Sequence, residues 1–385
     1  MASFLTAVTS ITLLFLVNYS LTSINSSLYI DTLRASIKSK SLSDTVKLPL
    51  GGNKVFFPFE GNDCLIFEML IIPKESRLKA TISPRFVTNG QGHAQVSSDD
   101  YPPGPHCAQL RWVMENLDIV SASIDQNTAY YHRYIHGDLT VAALLLSQMS
   151  LSSASTLLLS LCAAGILILF AAPLTHCLYR RKMNPRAIAF MIISLVLSAF
   201  YAMPIFDRSF SFAPTDLVLL IFLIICYFRP TGGQSDNGFL LLVSIYAAMI
   251  AILEFLTGGI PMGISTLITM IVLGNTRQKE HLQKLITDGL TVFIATTVFC
   301  FMFKLIAVHL VWGSVLDDFR SALLHRINGD VYNLLSESAK TALEQHGLNP
   351  SIITSNIFMR IGLGIGMIAV SYTHLRAHET RHELV

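Results

Sequence analysis

Residues 154–174 read ASTLLLSLCAAGILILFAAPL, and residues 175–186 continue THCLYRRKMNPR. The first stretch contains no Asp, Glu, Lys, Arg or His and is about as long as a helix crossing ~30 Å of hydrocarbon needs to be. The second closes on Arg180, Arg181, Lys182 and Arg186. An apolar run of this length buries its peptide groups in lipid only as a helix, because a strand outside a closed barrel leaves them unpaired. The run is also too continuous for the alternation of a barrel strand.

Similar runs lie on either side: Ala2 to Ile24, Ala187 to Pro204, Thr215 to Phe228, Gly238 to Thr257, Ile260 to Leu273, Leu290 to Trp312, and one starting near Ser351. Together they predict a predominantly α-helical polytopic membrane protein of about eight spans. Thr215 to Phe228 and Ile260 to Leu273 are short for a crossing, which implies tilting or broken helices. The composition agrees, with 52% hydrophobic and 14% charged residues. The net charge of +2 gives no argument for nucleic-acid binding.

Basic residues fall in alternate loops: the Arg180 cluster, then Arg229, then Arg277, Lys279 and Lys284. By the positive-inside rule these loops are cytoplasmic. Arg34, Lys38 and Lys40 after the first run pull the other way, and the later loops outweigh them. The expected organisation is then a first span at 1–24, a mixed α/β extracytoplasmic domain at 25–153 ending in an interfacial helix, and a six-span bundle at 154–312. Extracytoplasmic amphipathic helices follow at 313–350, and a truncated eighth span at 351–369. The location is the bacterial cytoplasmic (inner) membrane. Without a basic segment ahead of it the first run reads as an anchor, with cleavage as the alternative.

Residues 370–385, VSYTHLRAHETRHELV, are polar and His-rich, unlike the Gly-rich apolar run they interrupt. They resemble one translated frame of a transposase-type sequencing adapter and are expected to be non-native.

In 25–153, Val55 to Phe59 and Leu65 to Ile72 are strand-like runs divided by Glu60-Gly61-Asn62-Asp63, so the middle of the domain reads as β-rich. The second run fits a short buried helix equally well. Leu139 to Met149 is apolar but too short to cross, as an interfacial or re-entrant helix would be. Cys64 and Cys107 are the two cysteines of this domain, and in an oxidising compartment they can pair. Beyond Trp312, apolar residues from Leu316 to Leu334 recur at helical spacing.

The densest set of reactive side chains is Tyr131-His132-Arg133-Tyr134-Ile135-His136-Gly137-Asp138. On a helix His132 and His136 would share a face, with Asp138 or His106 as further ligands, as a metal site needs. No metalloprotease pattern accompanies them, and no metal is assigned. A belt of Tyr, His and Arg at the headgroup level is the plainer reading. Recognition of a lipid phosphate by Arg133 with Tyr131 and Tyr134 lies between the two.

Tyr131, Arg133, Tyr134, His136 and Gly137 match in place a Tyr-x-Arg-Tyr-Trp-His-Gly motif, with Ile135 at the Trp. In this the chain resembles a family of uncharacterised bacterial multi-span membrane proteins, in which the motif follows an outer domain and directly precedes a helix. Asp63, Glu254-Phe255-Leu256-Thr257 and Lys304 extend the likeness. The resemblance implies a shared outer-face site and no particular reaction.

Glu254 and Lys304 are ionisable groups inside apolar runs, where a charge by default faces protein or water. Each lies on a stripe of small residues, Ser244, Ala247, Ala251 and Gly258 for one and Thr297, Cys300 and Ala307 for the other, so both are expected to point into the bundle. Lys304 has the reach to meet Glu254 in a packing salt bridge. The candidate catalytic residues are therefore Glu254, His136 and Asp63, and the candidate substrate-binding residues Tyr131, Arg133, Tyr134 and Lys304. The layout is similar to multi-span glycosyltransferases that use lipid-linked sugars. It predicts an envelope enzyme handling a lipid-linked glycan, with the bilayer as its other partner; the alternative is a transporter or a non-catalytic assembly partner. No cofactor motif is legible: Leu363-Gly364-Ile365-Gly366 lacks the strand and the Lys-Ser/Thr of a phosphate loop.

Overall fold

The computed structural model describes residues 2–24, 26–38, 45–47, 54–56, 58–74, 76–87, 105–122, 124, 128–132, 134–180, 185–200, 208–228, 236–253, 259–274 and 279–313. Counts and absences below refer to these residues. Glu254 and Arg133 lie outside them, as do the side chain of His106 and everything after Gly313, including the amphipathic segment, the run from Ser351 and residues 370–385.

The chain is mostly helical. Its elements are α1 (Ala2–Leu21), α2 (Ser26–Lys38), β1 (Thr45–Lys47), β2 (Lys54–Phe56), α3 (Pro58–Ile71), α4 (Arg77–Ile82), β3 (Arg85–Val87), α5 (Pro105–Glu115), α6 (Leu117–Ala122) and β4 (Thr128–Tyr130). Then come α7 (Gly137–Leu146), α8 (Leu151–Arg180), α9 (Pro185–Phe200), α10 (Ala213–Phe228), α11 (Asp236–Leu253), α12 (Gly259–Gly274) and α13 (Lys279–Trp312).

Three helices are long and apolar enough to cross a membrane: Ala2–Leu21, Leu151–Tyr179 and Gln283–Trp312. Pro173 sits within α8, where neighbouring groups can satisfy the carbonyl it frees. The apolar helices Ala213–Phe228, Asn237–Leu253 and Gly259–Ile271 are shorter. The 16 residues of α10 or α12 rise only roughly 24 Å, which is why these runs look short in the sequence.

The β-rich expectation for the N-terminal domain is corrected. Leu65 to Ile72 belongs to α3 and the turn that ends it, and Glu60 to Asp63 form its first turns. Pro58 at the first helical position suits a residue whose missing N–H would have no partner there. The run lacks helical periodicity because every face is covered: Cys64 through Ile72 are all buried. Burying each large apolar side chain there contributes about 1.5–3 kcal/mol. The β component is two antiparallel two-stranded ladders. In one, Val46 faces Val55; in the other, Arg85 faces Tyr130 and Val87 faces Thr128.

A disulfide joins Cys64 of α3 to Cys107 of α5. One apolar core runs from Tyr29 and Leu33 of α2 through α3 and α5 into α8, α10, α11 and α13. In the bundle the rings of Phe222 and Tyr246 stack at 3.9 Å, and Phe293 lies against Tyr246. The most extensive helix pair is α11 with α13. Ala248 and Ala251 of α11 share a buried cluster with Cys300 of α13, small side chains that let helix backbones approach. Ser244 and Thr296 share a 3.0 Å hydroxyl hydrogen bond between the two helices.

Candidate functional site

The Tyr-His segment is not helical. After β4 the chain runs extended, with Tyr131 N–H donating to the Pro84 carbonyl at 2.8 Å, and α7 begins at Gly137. His132 and His136 therefore do not share a helical face. His132 Nδ1 lies 3.0 Å from Ser83 Oγ, while His136 Nε2 donates to the Tyr131 carbonyl at 2.8 Å. No group of three His, Cys, Asp or Glu side chains is placed to hold a metal among the described residues.

His136 adopts a left-handed backbone, φ 64° and ψ 40°, the one non-glycine residue with positive φ among those described. This conformation costs a residue with a Cβ about 1–2 kcal/mol. Gly137 explains what it secures. A Cβ there would stand 2.4 Å from Ile252 Cγ2 and 2.7 Å from the Ile252 carbonyl oxygen, so glycine is what lets the start of α7 meet the end of α11. Thr215 of α10 donates to the Leu253 carbonyl at the same place, so the last described residues before Glu254 are held from two sides.

The motif folds into one aromatic cluster: Tyr131 lies 5.4 Å from the His136 ring and 5.7 Å from that of Tyr134. Asp138 is buried in the first turn of α7, where a carboxylate faces the positive end of the helix dipole. Burial holds the His136 imidazole well below its ordinary pKa, and the positive charge of Lys304 acts in the same direction. The ring is therefore neutral at pH 7. With Nε2 donating to Tyr131, its basic lone pair is on Nδ1.

Lys304, only 1% exposed, reaches the end of α4. Its ammonium donates to the carbonyl of Ile82 and to Ser83 Oγ. A cation suits that place, since the last carbonyls of a helix have no partners within it and carry its negative end. An ammonium can only donate, which leaves the Ser83 proton for His132 Nδ1. His132 lies parallel to the Tyr130 ring and edge-on to Trp312, at 5.9 and 4.8 Å.

Asp63 sits elsewhere, beside the loop entering α10. Its Oδ1 accepts from Ser209 Oγ at 2.8 Å and from Ser211 N–H at 3.0 Å, and its Oδ2 from Phe210 N–H at 3.1 Å. Burial pushes its pKa up to about 7 against the pull of these donors.

Several residues that matter here carry no signal in the sequence. Glu68, inside the apolar run of α3, accepts at Oε1 from Val87 N–H at 2.6 Å and from Gln109 Nε2 at 3.0 Å, tying α3 to β3 and α5. Arg85 is buried, donating to Thr128 Oγ1 at 2.9 Å and Tyr130 Oη at 3.1 Å, with its guanidinium 4.3 Å from the centre of the Tyr130 ring.

Arg85, Tyr130 and His136 border a partly open cavity of about 40 Å³ that residues of α1, α2, α3, α4 and α7 also line. Asn18, Tyr29 and Lys74 supply its remaining nitrogen and phenol groups, and Leu21, Met69 and Leu139 much of its apolar wall. The volume holds a few waters or one small polar group. Of the candidates from the sequence, His136 borders it; Asp63, Tyr131, Tyr134 and Lys304 do not. No family model, no curated protein and no solved structure matches this chain.

Proposed function

We propose that the chain is a multi-pass enzyme of the bacterial cytoplasmic membrane that acts on a lipid-linked sugar or glycoconjugate at its extracytoplasmic face. In this reading the bundle has about eight spans, the N-terminal domain is extracytoplasmic, and the Tyr-x-Arg-Tyr-x-His-Gly segment is the site shared with the family it resembles. The observation that carries the reading is His136: a neutral imidazole, in a strained backbone conformation, bordering a cavity that also contains Lys74 and Arg85. Strain of this kind gathers at working sites. A neutral imidazole has a lone pair that can accept a proton, and the cations beside it suit a phosphorylated substrate.

The chemistry proposed is glycosyl transfer. An acceptor hydroxyl oxygen attacks the anomeric carbon, and the bond from that carbon to the lipid phosphate oxygen breaks with its electron pair leaving on the phosphate. The hydroxyl proton passes to His136 Nδ1. Lys74 and Arg85 offset the charge that develops on the leaving phosphate. Glu254 is proposed as a second acid–base group next to Leu253.

Purified full-length protein in liposomes, given a polyisoprenyl-phosphate-linked labelled sugar and a glycan acceptor, tests this. Transfer by the wild type and a loss of about a hundredfold or more in His136→Asn and Glu254→Gln, at unchanged protein abundance, is the expected result. Solute uptake without any sugar transfer would replace the enzyme with a transporter.

A further inference from the structure

The cavity beside His136 has an uneven lining. Among the described residues it includes two cationic side chains, Lys74 and Arg85, and no Asp or Glu. Arg85 is already oriented by Thr128 and Tyr130. Lys74 is half-buried and forms no salt bridge or hydrogen bond with the described residues. A lysine held this way has lost solvation without gaining a counter-ion from the described residues, an arrangement that an arriving anion relieves.

Tyr29 makes the second, independent observation. Its side chain is fully buried, yet its hydroxyl has no hydrogen-bond partner among the described residues. Buried phenols ordinarily find one. Asn18 supplies a further donor: its Oδ1 accepts from Thr140 Oγ1, which directs the carboxamide so that Nδ2 remains to donate. Around one small volume there are thus an ammonium, a guanidinium, a phenol and an amide, all of them donors. The rest of the lining is largely apolar and includes Leu21 of α1, Met69 and Leu70 of α3, and Leu139 and Ala143 of α7.

We propose that this cavity is a phosphate subsite, in which Lys74, Tyr29 and Asn18, backed by Arg85, bind a phosphate monoester or diester anion. The apolar part of the lining suits the chain of a lipid that bears it. Burial, which draws the Lys74 ammonium below the usual lysine range, makes the unoccupied site less fully charged than the occupied one. The proposal rests on the enzyme reading above for its purpose, since it names the leaving group of that substrate; the binding itself needs no turnover.

The test uses the full-length protein in a neutral detergent and three probes: a polyisoprenyl monophosphate, the corresponding polyisoprenol, and inorganic phosphate. Binding is read by native mass spectrometry and by thermal shift. The expected result is binding of the polyisoprenyl phosphate and none of the alcohol, with affinity reduced about tenfold or more in Lys74→Gln and several-fold in Tyr29→Phe, and restored in Lys74→Arg. Both substitutions retain shape, so folding is checked by an unchanged melting temperature without ligand. Binding of inorganic phosphate with the same dependence on Lys74 also supports the subsite and identifies a soluble source. Equal binding of phosphate and alcohol, no binding of any probe, or affinity unchanged in both variants overturns it. Wild-type phosphate binding without sugar transfer would end the enzyme reading and leave the subsite standing, whereas sugar transfer undiminished in Lys74→Gln would end the subsite alone.

Discussion

Lys304 Nζ lies 3.0 Å from Ser83 Oγ, joining positions 221 residues apart. The bond closes the end of α4 with a charge carried by α13, so a residue that looks like an intramembrane functional group acts here as a cap for another helix. Ser83 relays the contact to His132, and His132 packs on Trp312, the last residue of α13, so the helix meets the N-terminal domain both at Lys304 and at its own end.

Lys304→Met removes the donor and leaves the Ile82 carbonyl and Ser83 hydroxyl buried beside a methyl group. The expected cost is about 1–3 kcal/mol. Hydrogen exchange should report it as lost protection in α4 and β3, with little change in α8. Protection unchanged in α4 would mean the cap contributes nothing.

Gly137→Ala places a methyl group against the Ile252 backbone, at distances that side-chain motion alone cannot relieve. Overpacking of this kind costs about 1–3 kcal/mol. A lower melting temperature in detergent is expected, together with easier proteolysis between α7 and α11. The same change at Gly313, which has nothing near its Cβ direction, should leave the α7–α11 junction intact.

His136 gives a pH signature. The unfolded chain takes up a proton near pH 6.5, while the folded imidazole, held well below its ordinary value, does so only in more acidic solution. The unfolded state thus binds the extra proton first, and the stability difference from this group is lost as pH falls below about 6.5. His136→Asn, which tolerates the left-handed backbone, should remove this dependence at little cost in stability. His136→Ala should remove it and lose about 1 kcal/mol more, because alanine does not favour that conformation. Urea titrations between pH 5 and 8, compared as differences between variants, check both.

Asp63 works in the opposite sense. Between the ordinary carboxyl range near 3.9 and its folded value of about 7, the native state keeps a proton that the unfolded chain has released, so stability falls as pH rises through that window and levels off above it. Asp63→Asn abolishes the slope. It also turns one acceptor oxygen into a donor facing the Phe210 or Ser211 N–H, at a cost of about 1–3 kcal/mol. A variant that kept the slope would place the titrating group elsewhere.

Cys64 and Cys107 enclose 43 positions of chain, and reduction should lower stability by about 2–4 kcal/mol. Melting with and without reductant, and in Cys64→Ser, measures this. Equal melting temperatures for oxidised and reduced protein would remove the disulfide from the account of stability.

What was legible in the sequence follows from where each signal originates. The helices α8 and α13 are apparent because run length alone separates a helix long and apolar enough to cross a membrane from shorter elements. The Leu65–Ile72 run is not, because a helix covered on all sides shows neither period, and only its neighbours decide between helix and strand. For the same reason Glu68, which reads as a break in an apolar run, proves to be a tie between three elements. At the site, the residue types of the Tyr-His segment stand out, but their use does not. The paired-histidine reading presumes a helix, whereas the backbone is extended up to a left-handed turn at His136, and Gly137 is its single local trace. Tyr29, Lys74 and Arg85 come from α2, the connection between α3 and α4, and β3, and meet only once the chain has folded, so no spacing connects them.

The contact between Lys304 and the end of α4 also sets an order of events during synthesis. At roughly 5–20 residues per second, the 221 residues between Ser83 and Lys304 take on the order of 10–40 s to make. Throughout that interval α4 has no partner for its last carbonyl, and α7 has no Ile252 to rest against until α11 emerges. The docking of the N-terminal domain is therefore complete only once the far end of α13 has been made.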